Sequence, residues 1–261
     1  MAARKRDDEG REMWGRWLLS IAGSSHAGRV RQSNQDAFDR FDDPDREEIL
    51  FVVADGMGGH RGGEVASAMA VGTLGSMNRE GEGDAPFRLC TAIERANSEI
   101  FARASKNPRL AKMGTTVVAL LFSTEGESFV AHVGDSRLYQ LRDGSVNPLT
   151  DDHTLAAELL RNGEITEAEA RTHPRRSVLT RSVGVGKRVE VEVSSVDVRA
   201  GDAFLLCSDG IYEMLPEDEI RKIVASAPDA HTAVAWLVDA ANQGGGKDNS
   251  TALVVQVSEA R

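Results

Sequence analysis

The sequence predicts an α+β fold in which antiparallel sheets are covered by pairs of helices. Predicted strands follow one another directly, without the regular alternation of strand and helix that builds a parallel sheet. Helical patterns come in two pairs, at about 62–78 with 85–106 and at about 216–226 with 230–242. A polar, helix-prone stretch at 150–181 interrupts the strands, and an insertion of that size is typical of a functional flap.

The strands are predicted from short apolar or alternating runs. The clearest is the β-branched run at about 114–122, which suits a sheet buried on both faces. Residues 24–36 and 42–48 are too polar or too charged and are predicted to be loops. The other predicted strands lie at about 17–22, 51–54, 129–133, 138–142, 189–193, 204–207 and 251–257.

Bulk properties bound the class of protein. The chain has 261 residues, 41% of them hydrophobic, which is enough for one large domain with a sizeable core. We expect a disordered charged tail at 1–13 and one domain at 14–261. A net charge of −10 argues against nucleic-acid binding, which needs a basic surface.

The same properties indicate a cytoplasmic location. Only two cysteines are present, Cys90 and Cys207, so a disulfide framework is not expected. The first 13 residues are crowded with charges and lack the apolar core of a signal peptide. No apolar run approaches the roughly 18 residues of a membrane span. We expect a cytoplasmic, monomeric protein without a membrane span.

The Asp-Gly pair at 55–56 is a candidate cation site. The apolar run at 51–54 ends in Asp55-Gly56, and a glycine-rich loop follows. Because glycine has no Cβ, the backbone can approach a ligand closely at Gly56. The Asp55 carboxylate and the Gly56 carbonyl oxygen can therefore bind one hard cation. Asp-Gly is also a strong hairpin-turn signal, and this alternative stays open for the dipeptide taken alone.

Further acids occupy similar positions. Asp143 is a useful contrast, because its Arg-Asp-Gly-Ser setting between short strands requires only a hairpin turn. Carboxylates gathered at one end of a sheet repel one another unless cations lie among them. Oxygen ligands favour Mg²⁺ or Mn²⁺, and two such ions can polarise a phosphoryl group and activate a bridging water. The aspartates at strand ends or in glycine-flanked turns are Asp36, Asp55, Asp135, Asp209 and Asp248.

Other phosphate chemistries lack their motifs. The glycine loop at 56–63 does not end in Lys-Ser/Thr, which excludes a P-loop. Neither Cys90 nor Cys207 has an arginine six positions later, which excludes a cysteine-phosphatase loop. No His-x-x-x-His or paired-cysteine motif offers a zinc site.

Eight ordered blocks resemble the bacterial branch of the metal-dependent protein phosphatases, type 2C. They span about 20–257, nearly the whole chain. The blocks are Gly28-Arg-Val-Arg-Gln-Ser-Asn-Gln-Asp36, Asp55-Gly-Met-Gly-Gly-His60, Gly114-Thr-Thr116, Gly134-Asp-Ser-Arg137, Leu149-Thr-Asp-Asp-His153, Leu179-Thr-Arg-Ser-Val-Gly184, Ser208-Asp-Gly210 and Asp248-Asn-Ser-Thr251.

The resemblance implies a four-layer α-β-β-α sandwich that hydrolyses phosphoserine and phosphothreonine on proteins. It also implies two core Mn²⁺ or Mg²⁺ ions and a possible third. Asp55 would bridge the core ions and Gly56 would bind one through its carbonyl. The other implied ligands are Asp209 and Asp248 on the second ion, Asp36 through ligand waters, and Asp135 with Asp209 on the third.

The resemblance also assigns residues outside the metal shell. Arg31 matches the arginine that clamps the substrate phosphate, a role suited to its planar fork of donors. His60 can assist the leaving group or support the site structurally, and both roles stay open. Gln35 stands where many members have Glu, which weakens the expected hold on the second ion.

The expected partners are phosphorylated proteins and a bacterial Ser/Thr kinase that the enzyme opposes. Two alternatives stay open. One is a catalytically inactive relative that serves as a binding or regulatory module. The complete set of aspartates with Arg31 argues against it, because a binding module has no need for charges that repel one another. The other is a phosphatase dedicated to one anti-sigma-factor antagonist.

Overall fold

Two antiparallel sheets form the centre of the protein. The computed structural model describes residues 7, 10–58 and 62–260. The first sheet has the strand order β1-β2-β12-β11-β8-β9. Its strands are β1 (Glu12–Trp14), β2 (Trp17–His26), β12 (Ser250–Glu259), β11 (Ala203–Cys207), β8 (Arg137–Arg142) and β9 (Ser145–Pro148).

The second sheet has the order β10-β7-β6-β4-β3, and a short strand, β5, pairs with the end of β4. The β3–β4 register places Asp36 directly opposite Asp55. The strands are β10 (Glu192–Val196), β7 (Ser128–Val133), β6 (Val117–Ser123), β4 (Glu48–Met57), β3 (Asp36–Asp43) and β5 (Gly114–Thr115).

Helix pairs cover the outer faces of both sheets. The pair α1 and α2 packs on the second sheet, and the pair α6 and α7 packs on the first. Two short helices, α3 and α4, lie in the predicted flap. The bounds are α1 (Gly62–Glu80), α2 (Ala85–Lys106), α3 (Leu155–Arg161), α4 (Glu167–Thr172), α5 (Asp209–Tyr212), α6 (Glu217–Ser226) and α7 (Ala230–Gln243).

Three apolar layers hold these elements together. Two lie between a sheet and its helices, and the third lies between the sheets. The layer between the sheets contains large, fully buried side chains, among them Trp14, Phe51, Phe122 and Phe204. Aromatic side chains of this size bury much apolar area, which favours close sheet-to-sheet packing. The predicted α+β sandwich with two antiparallel sheets is confirmed.

The ends of α2 follow local chemistry. The Asp84 side chain accepts a hydrogen bond from the Phe87 backbone N–H and caps the first turn. At the other end the helix stops at Asn107-Pro108, and a single 3₁₀ turn follows at Pro108–Leu110. The two predicted helix pairs match the observed helices to within about two residues at each end.

Strand β3 corrects the predicted loop at 42–48. Asp42 and Asp43 lie in β3, Glu48 begins β4, and only the turn between them is irregular. The acidic sequence of β3 suppressed the strand signal, but β3 lies at the edge of its sheet, where charged side chains can reach water. Other differences are local. β2 continues to His26, three residues into the predicted loop at 24–36, and the short strand β9 was not predicted. β10 begins at Glu192 and not near 189, and β1 begins at Glu12, inside the range predicted as a tail.

Among the described residues, no helix is long and apolar enough to cross a membrane.

Candidate metal-binding active site

The topology brings the five predicted aspartates to one end of the two sheets. Neighbouring strands run in opposite directions, so the start of one strand lies beside the end of the next. The aspartates follow this alternation: Asp36 begins β3, Asp55 lies near the end of β4, Asp135 follows β7, Asp209 follows β11, and Asp248 precedes β12.

Asp36 joins the two sheets at this end. Its Oδ2 accepts hydrogen bonds from Ser208 Oγ at 2.7 Å and from Thr251 Oγ1 at 2.6 Å. Both hydroxyls belong to the first sheet's strand ends, whereas Asp36 belongs to the second sheet. The sequence analysis did not assign these hydroxyls a role. The sequence feature that could have identified these hydroxyls is their position beside predicted metal ligands, in the blocks around Asp209 and Asp248.

The backbone of Asp55 is fixed by the Gly-Thr-Thr block. The Asp55 N–H donates to Thr116 Oγ1 at 2.9 Å, and the Asp55 carbonyl accepts from Thr115 Oγ1 and the Thr116 N–H, each at 2.8 Å. Thr116 Oγ1 also lies 2.6 Å from Ser136 Oγ. These bonds explain why the block at 114–116 accompanies the Asp-Gly block, although the two are far apart in sequence.

Gly56 lies against the start of α1 with no room for a side chain. A Cβ on Gly56 would lie 2.2 Å from the carbonyl oxygen of Gly63, and a Cβ on Gly63 would lie 2.5 Å from the Gly56 carbonyl oxygen. The Gly56 N–H donates to the Gln35 carbonyl at 3.1 Å. Gln35 Nε2 donates to the Gly58 carbonyl at 3.4 Å, so the Gln35 side chain contacts this loop. His60 lies outside the described residues.

Burial, together with repulsion from nearby carboxylates, raises the pKa values of Asp36, Asp55, Asp135 and Asp209. Burial, followed by the charges of Asp36 and Asp209, raises the pKa of Asp55 well above its ordinary value. Burial, followed by Asp135, does the same for the pKa of Asp209. Burial raises the pKa of Asp36 to about 6, and burial with the charge of Asp152 raises the pKa of Asp135 to about 7. The folded chain therefore destabilises the charged form of these acids.

The donor set fits hard divalent cations. Asp36 Oδ1 and Asp209 Oδ1 are buried, and neither has a hydrogen-bond partner in the part of the chain that the structure describes. An unpartnered buried carboxylate oxygen is costly unless another group satisfies it. Oxygen-only ligands with several negative charges are the set that Mg²⁺ and Mn²⁺ prefer.

Arg31 also reaches this end of the molecule. Its Nη2 donates to Asp248 Oδ2 at 2.6 Å, and the Asp248 carboxylate raises the pKa of the Arg31 guanidinium. The Arg31 side chain is 58% exposed, so most of its surface is available to a ligand. The Arg31 loop is shaped by Gly28, whose φ is 79° and where a Cβ would lie 2.2 Å from the Asp248 carbonyl oxygen.

Arg137 has local partners. It forms a bidentate pair with Asp152 at 2.8 and 2.7 Å, and it donates to Tyr139 Oη at 2.7 Å. Its guanidinium carbon lies 3.7 Å from the centre of the Tyr212 ring. Tyr212 Oη in turn donates to the Asp135 carbonyl at 3.0 Å. Arg137 therefore links the first residues of the flap to the turn that carries Asp135.

A cluster of His132, His153 and Glu192 lies next to this turn and is satisfied by hydrogen bonds. His153 Nδ1 accepts from the Gly134 N–H at 3.1 Å, so Nε2 carries the proton and donates to Glu192 Oε1 at 3.0 Å. His132 Nε2 lies 2.9 Å from the Asp151 carbonyl. The two rings stack with an angle of 16°, so their in-plane nitrogen lone pairs do not converge on a shared ion.

The interpretation of Asp143 as a turn residue agrees with the structure. Asp143 and Gly144, with φ of 51° and 76°, form the tight turn between β8 and β9, so Asp143 serves a hairpin only. Cys207 is fully buried in β11. Two histidines accept backbone hydrogen bonds: His26, the last residue of β2, accepts from the Gly28 N–H at Nδ1 at 2.9 Å, and His153 accepts from the Gly134 N–H.

The family described as Protein phosphatase 2C matches residues 22–243. The chain belongs to this family. It is 40% identical over 234 residues to "Serine/threonine phosphatase stp" of Listeria innocua, covering 88% of this chain and 92% of the relative. It is 37% identical over 241 residues to "Serine/threonine protein phosphatase PstP" of Mycobacterium tuberculosis, covering 92% of this chain and 45% of that relative.

Solved structures extend this similarity to the fold. A crystal structure of the M. tuberculosis phosphatase PstP/Ppp superposes with a TM-score of 0.83 at 36% identity, covering 92% of this chain and 99% of that one. The catalytic domain of PstP in complex with two manganese ions superposes with a TM-score of 0.81 at 35% identity, covering 93% and 100%. The predicted family and fold are confirmed.

The raised pKa values predict an unusual pH dependence of the melting temperature. In EDTA, Tm should rise by about 3 °C or more as pH falls from 8 to 5.5. The reason is that pKa values near 6 for Asp36 and near 7 for Asp135 let the folded state bind protons that the unfolded chain, with pKa near 3.8, does not bind. A raised folded pKa gives stability that is present at low pH and lost as pH rises through the folded value.

Melting curves in EDTA and in saturating Mn²⁺ test this prediction. Asp135→Asn should reduce the rise, and Mn²⁺ should abolish it because the ions favour the charged carboxylates. A Tm that falls steadily from pH 8 to 5.5 in EDTA would show that burial and neighbouring charges do not raise the pKa values of these acids in the folded chain.

Proposed function

We propose that this protein phosphatase 2C family member hydrolyses phosphoserine and phosphothreonine on proteins, using Mn²⁺ or Mg²⁺ ions held by the aspartate cluster. The main supporting observation is the burial of unpartnered Asp36 and Asp209 oxygens among acids with raised pKa values. Protein phosphatase activity follows from the family, and the predicted class of enzyme is confirmed. The relative that contains two manganese ions supports the choice of ion.

The proposed ligands divide between two core ions. Asp55 would contact both, the Gly56 carbonyl would complete one shell, and Asp209 with Asp248 would complete the other. Asp36, oriented by Ser208 and Thr251, would hold ligand waters, and Asp135 with Asp209 would form a third site. When bound, such ions supply Lewis-acid stabilisation of the phosphoryl oxygens and lower the pKa of a water, which allows direct hydrolysis without a covalent enzyme intermediate.

Arg31 would orient the phosphate. Its exposed guanidinium lies beside Asp248, at the edge of the cluster, where a phosphate can meet both the arginine and the ions. A planar fork of N–H donors matches two phosphate oxygens. His60, four residues after Gly56 in the sequence, is proposed to protonate the leaving serine or threonine oxygen. Because that oxygen departs as an alkoxide, a proton donor there lowers the barrier.

The proposed enzyme has one domain, a flap beside the site and a kinase as its opposing partner. We propose that the chain from β1, which begins at Glu12, to the end of β12 forms one phosphatase domain, and that the flap at 150–181 shapes substrate access. We also propose that the protein is a cytoplasmic monomer that removes phosphate groups added by a Ser/Thr kinase. The alternative of a binding module without activity finds no support in the site, since the predicted ligands and Arg31 are brought together.

Asp55→Asn tests the metal assignment, and Asp143→Asn is its matched control. Both replace the aspartate of an Asp-Gly pair, but only Asp55 faces other carboxylates. The amide removes a charge and one ligating oxygen, so kcat at saturating Mn²⁺ should fall by about a thousandfold or more. Asp143→Asn should retain nearly full activity, because Asn-Gly forms the same turn.

One result would contradict the assignment of Asp55 as a metal ligand. Turnover of a phosphothreonine peptide by Asp55→Asn above about a tenth of the wild-type rate would exclude Asp55 as a bridging ligand. The melting temperature in EDTA should stay equal or rise in this variant, since one of several repelling charges is removed.

Arg31→Ala tests the phosphate clamp. The variant should lower kcat/KM by about ten- to a thousandfold, because a charge-assisted contact is lost. Arg31→Lys should recover only part of it, since lysine keeps the charge without the fork. The affinity for Mn²⁺, measured by calorimetry, should change little or increase, because Arg31 pairs with the proposed ligand Asp248. An unchanged kcat/KM in Arg31→Ala would remove Arg31 from the site.

A further inference from the structure

Residues 171–189 form a basic segment in an acidic protein. The segment contains six Arg or Lys residues and no Asp or Glu, whereas the whole chain has a net charge of −10. It covers the end of the flap and the approach to β10. The six residues are Arg171, Arg175, Arg176, Arg181, Lys187 and Arg188.

The first half of the basic segment lies beside Asp209. Arg176 Nη2 donates to Glu213 Oε2 at 3.2 Å, and Ser177 Oγ donates to Glu213 Oε1 at 3.3 Å. Glu213 follows Asp209 by four residues, about one helical turn. The turn that carries Arg175 is therefore held close to this metal ligand.

The second half lies beside Asp55. Val183 exchanges backbone hydrogen bonds with Thr115, which itself pairs with Gly56. A Cβ on Gly114 would lie 2.7 Å from Val185 and 2.8 Å from Met57, so the Val185 and Met57 side chains crowd the same glycine. The part of the basic segment from Arg176 to Val185 thus lies along one rim of the site, from the Glu213 side to the Thr115 side, and Lys187 and Arg188 follow it directly in the sequence.

Hydrogen bonds fix the segment in this position. The Leu155 N–H donates to the Val178 carbonyl and the Thr180 N–H to the His153 carbonyl, each at 2.9 Å. On the other side, the Gly184 N–H donates to Asn97 Oδ1 at 2.7 Å. A ligand that binds this rim does not have to order it first, which reduces the entropic cost of binding.

Half of the basic side chains of this segment have no acidic partner among the residues that the structure describes. Arg171, Arg176 and Arg181 pair with glutamates. By contrast, Arg175, Lys187 and Arg188 are exposed and form no ion pair with any carboxylate that the structure describes. Unpaired cations grouped at the rim of a site attract acidic ligands and steer them toward it.

We propose that this rim selects phosphoprotein segments in which acidic residues flank the phosphorylated residue. The selection rests on the proposed phosphatase function and adds a substrate class to it. Glutamates or aspartates beside the phosphoresidue would meet Arg175 on one side of the site or Lys187 and Arg188 on the other. The same rim would disfavour segments with basic flanks, because like charges repel.

Three phosphothreonine peptides that differ only in four flanking positions, occupied by Glu, Gln or Lys, test the proposal. At low ionic strength the wild-type kcat/KM should be about tenfold higher for the Glu peptide than for the Gln peptide, and lowest for the Lys peptide. The ratio of Glu to Gln peptide should approach one above about 0.3 M salt, where exposed charges are screened.

Two triple variants locate the effect. Arg175→Gln with Lys187→Gln and Arg188→Gln should bring the Glu-to-Gln ratio to within about twofold of one. The matched control removes three exposed arginines at the opposite end of the sheets and should keep the wild-type ratio. The control substitutions are Arg16→Gln, Arg79→Gln and Arg199→Gln. Tm and turnover of para-nitrophenyl phosphate report folding and loading in both variants.

The outcomes separate the two proposals. Equal kcat/KM for the Glu and Gln peptides in the wild type, with both hydrolysed, would overturn the acidic selection and leave the phosphatase function intact. A wild-type ratio in the rim variant would also overturn it. Hydrolysis of none of the peptides by the Mn²⁺-loaded wild type would overturn the proposed function itself, and the selection with it.

Discussion

The gathering of five aspartates in a largely buried place, where they also repel one another, is the constraint on which the site depends. The aspartates lie at one end of the two sheets. The buried core between the sheets, which contains Phe51, Phe122 and Phe204, holds the sheets together and so keeps the acids close to one another. The cost of this arrangement is visible in the raised pKa values of Asp36, Asp55 and others. A protein retains such destabilising charges where a cation can offset them, so the same feature that weakens the folded chain prepares it for hard divalent ions.

The roles of individual residues follow from how tightly each is held. Asp36 and Asp55 are fixed by hydroxyl and backbone hydrogen bonds, which suits ligands that must stay in place during turnover. Arg31 is exposed and paired with one carboxylate, which suits a residue that meets a substrate arriving from solvent. Arg137 pairs with Asp152 at the start of the flap, and Tyr212, which lies against Arg137, donates to the Asp135 carbonyl. The same two side chains therefore position both the flap and the proposed third metal site.

Much of the site could be predicted from sequence, because each acid stands beside a glycine or at a strand end. What sequence could not supply were contacts between residues far apart in the chain. The bonds from Asp36 to Thr251 and from Arg31 to Asp248 join residues more than 200 positions apart, and they arise only when the sheets pack. Strand β3 was not predicted either, because edge position, and not local sequence, makes its acidic residues tolerable.

Calorimetric titration with Mn²⁺ tests the central claim most directly. At pH 6.5, with the titration repeated in buffers of different ionisation enthalpy, we expect at least two Mn²⁺ ions to bind per chain with release of protons. The protons come from the carboxyls whose pKa values are raised, among them Asp135 with a pKa of about 7. Binding of fewer than two ions, or binding without proton release, would contradict the view that these strained carboxylates form the metal site.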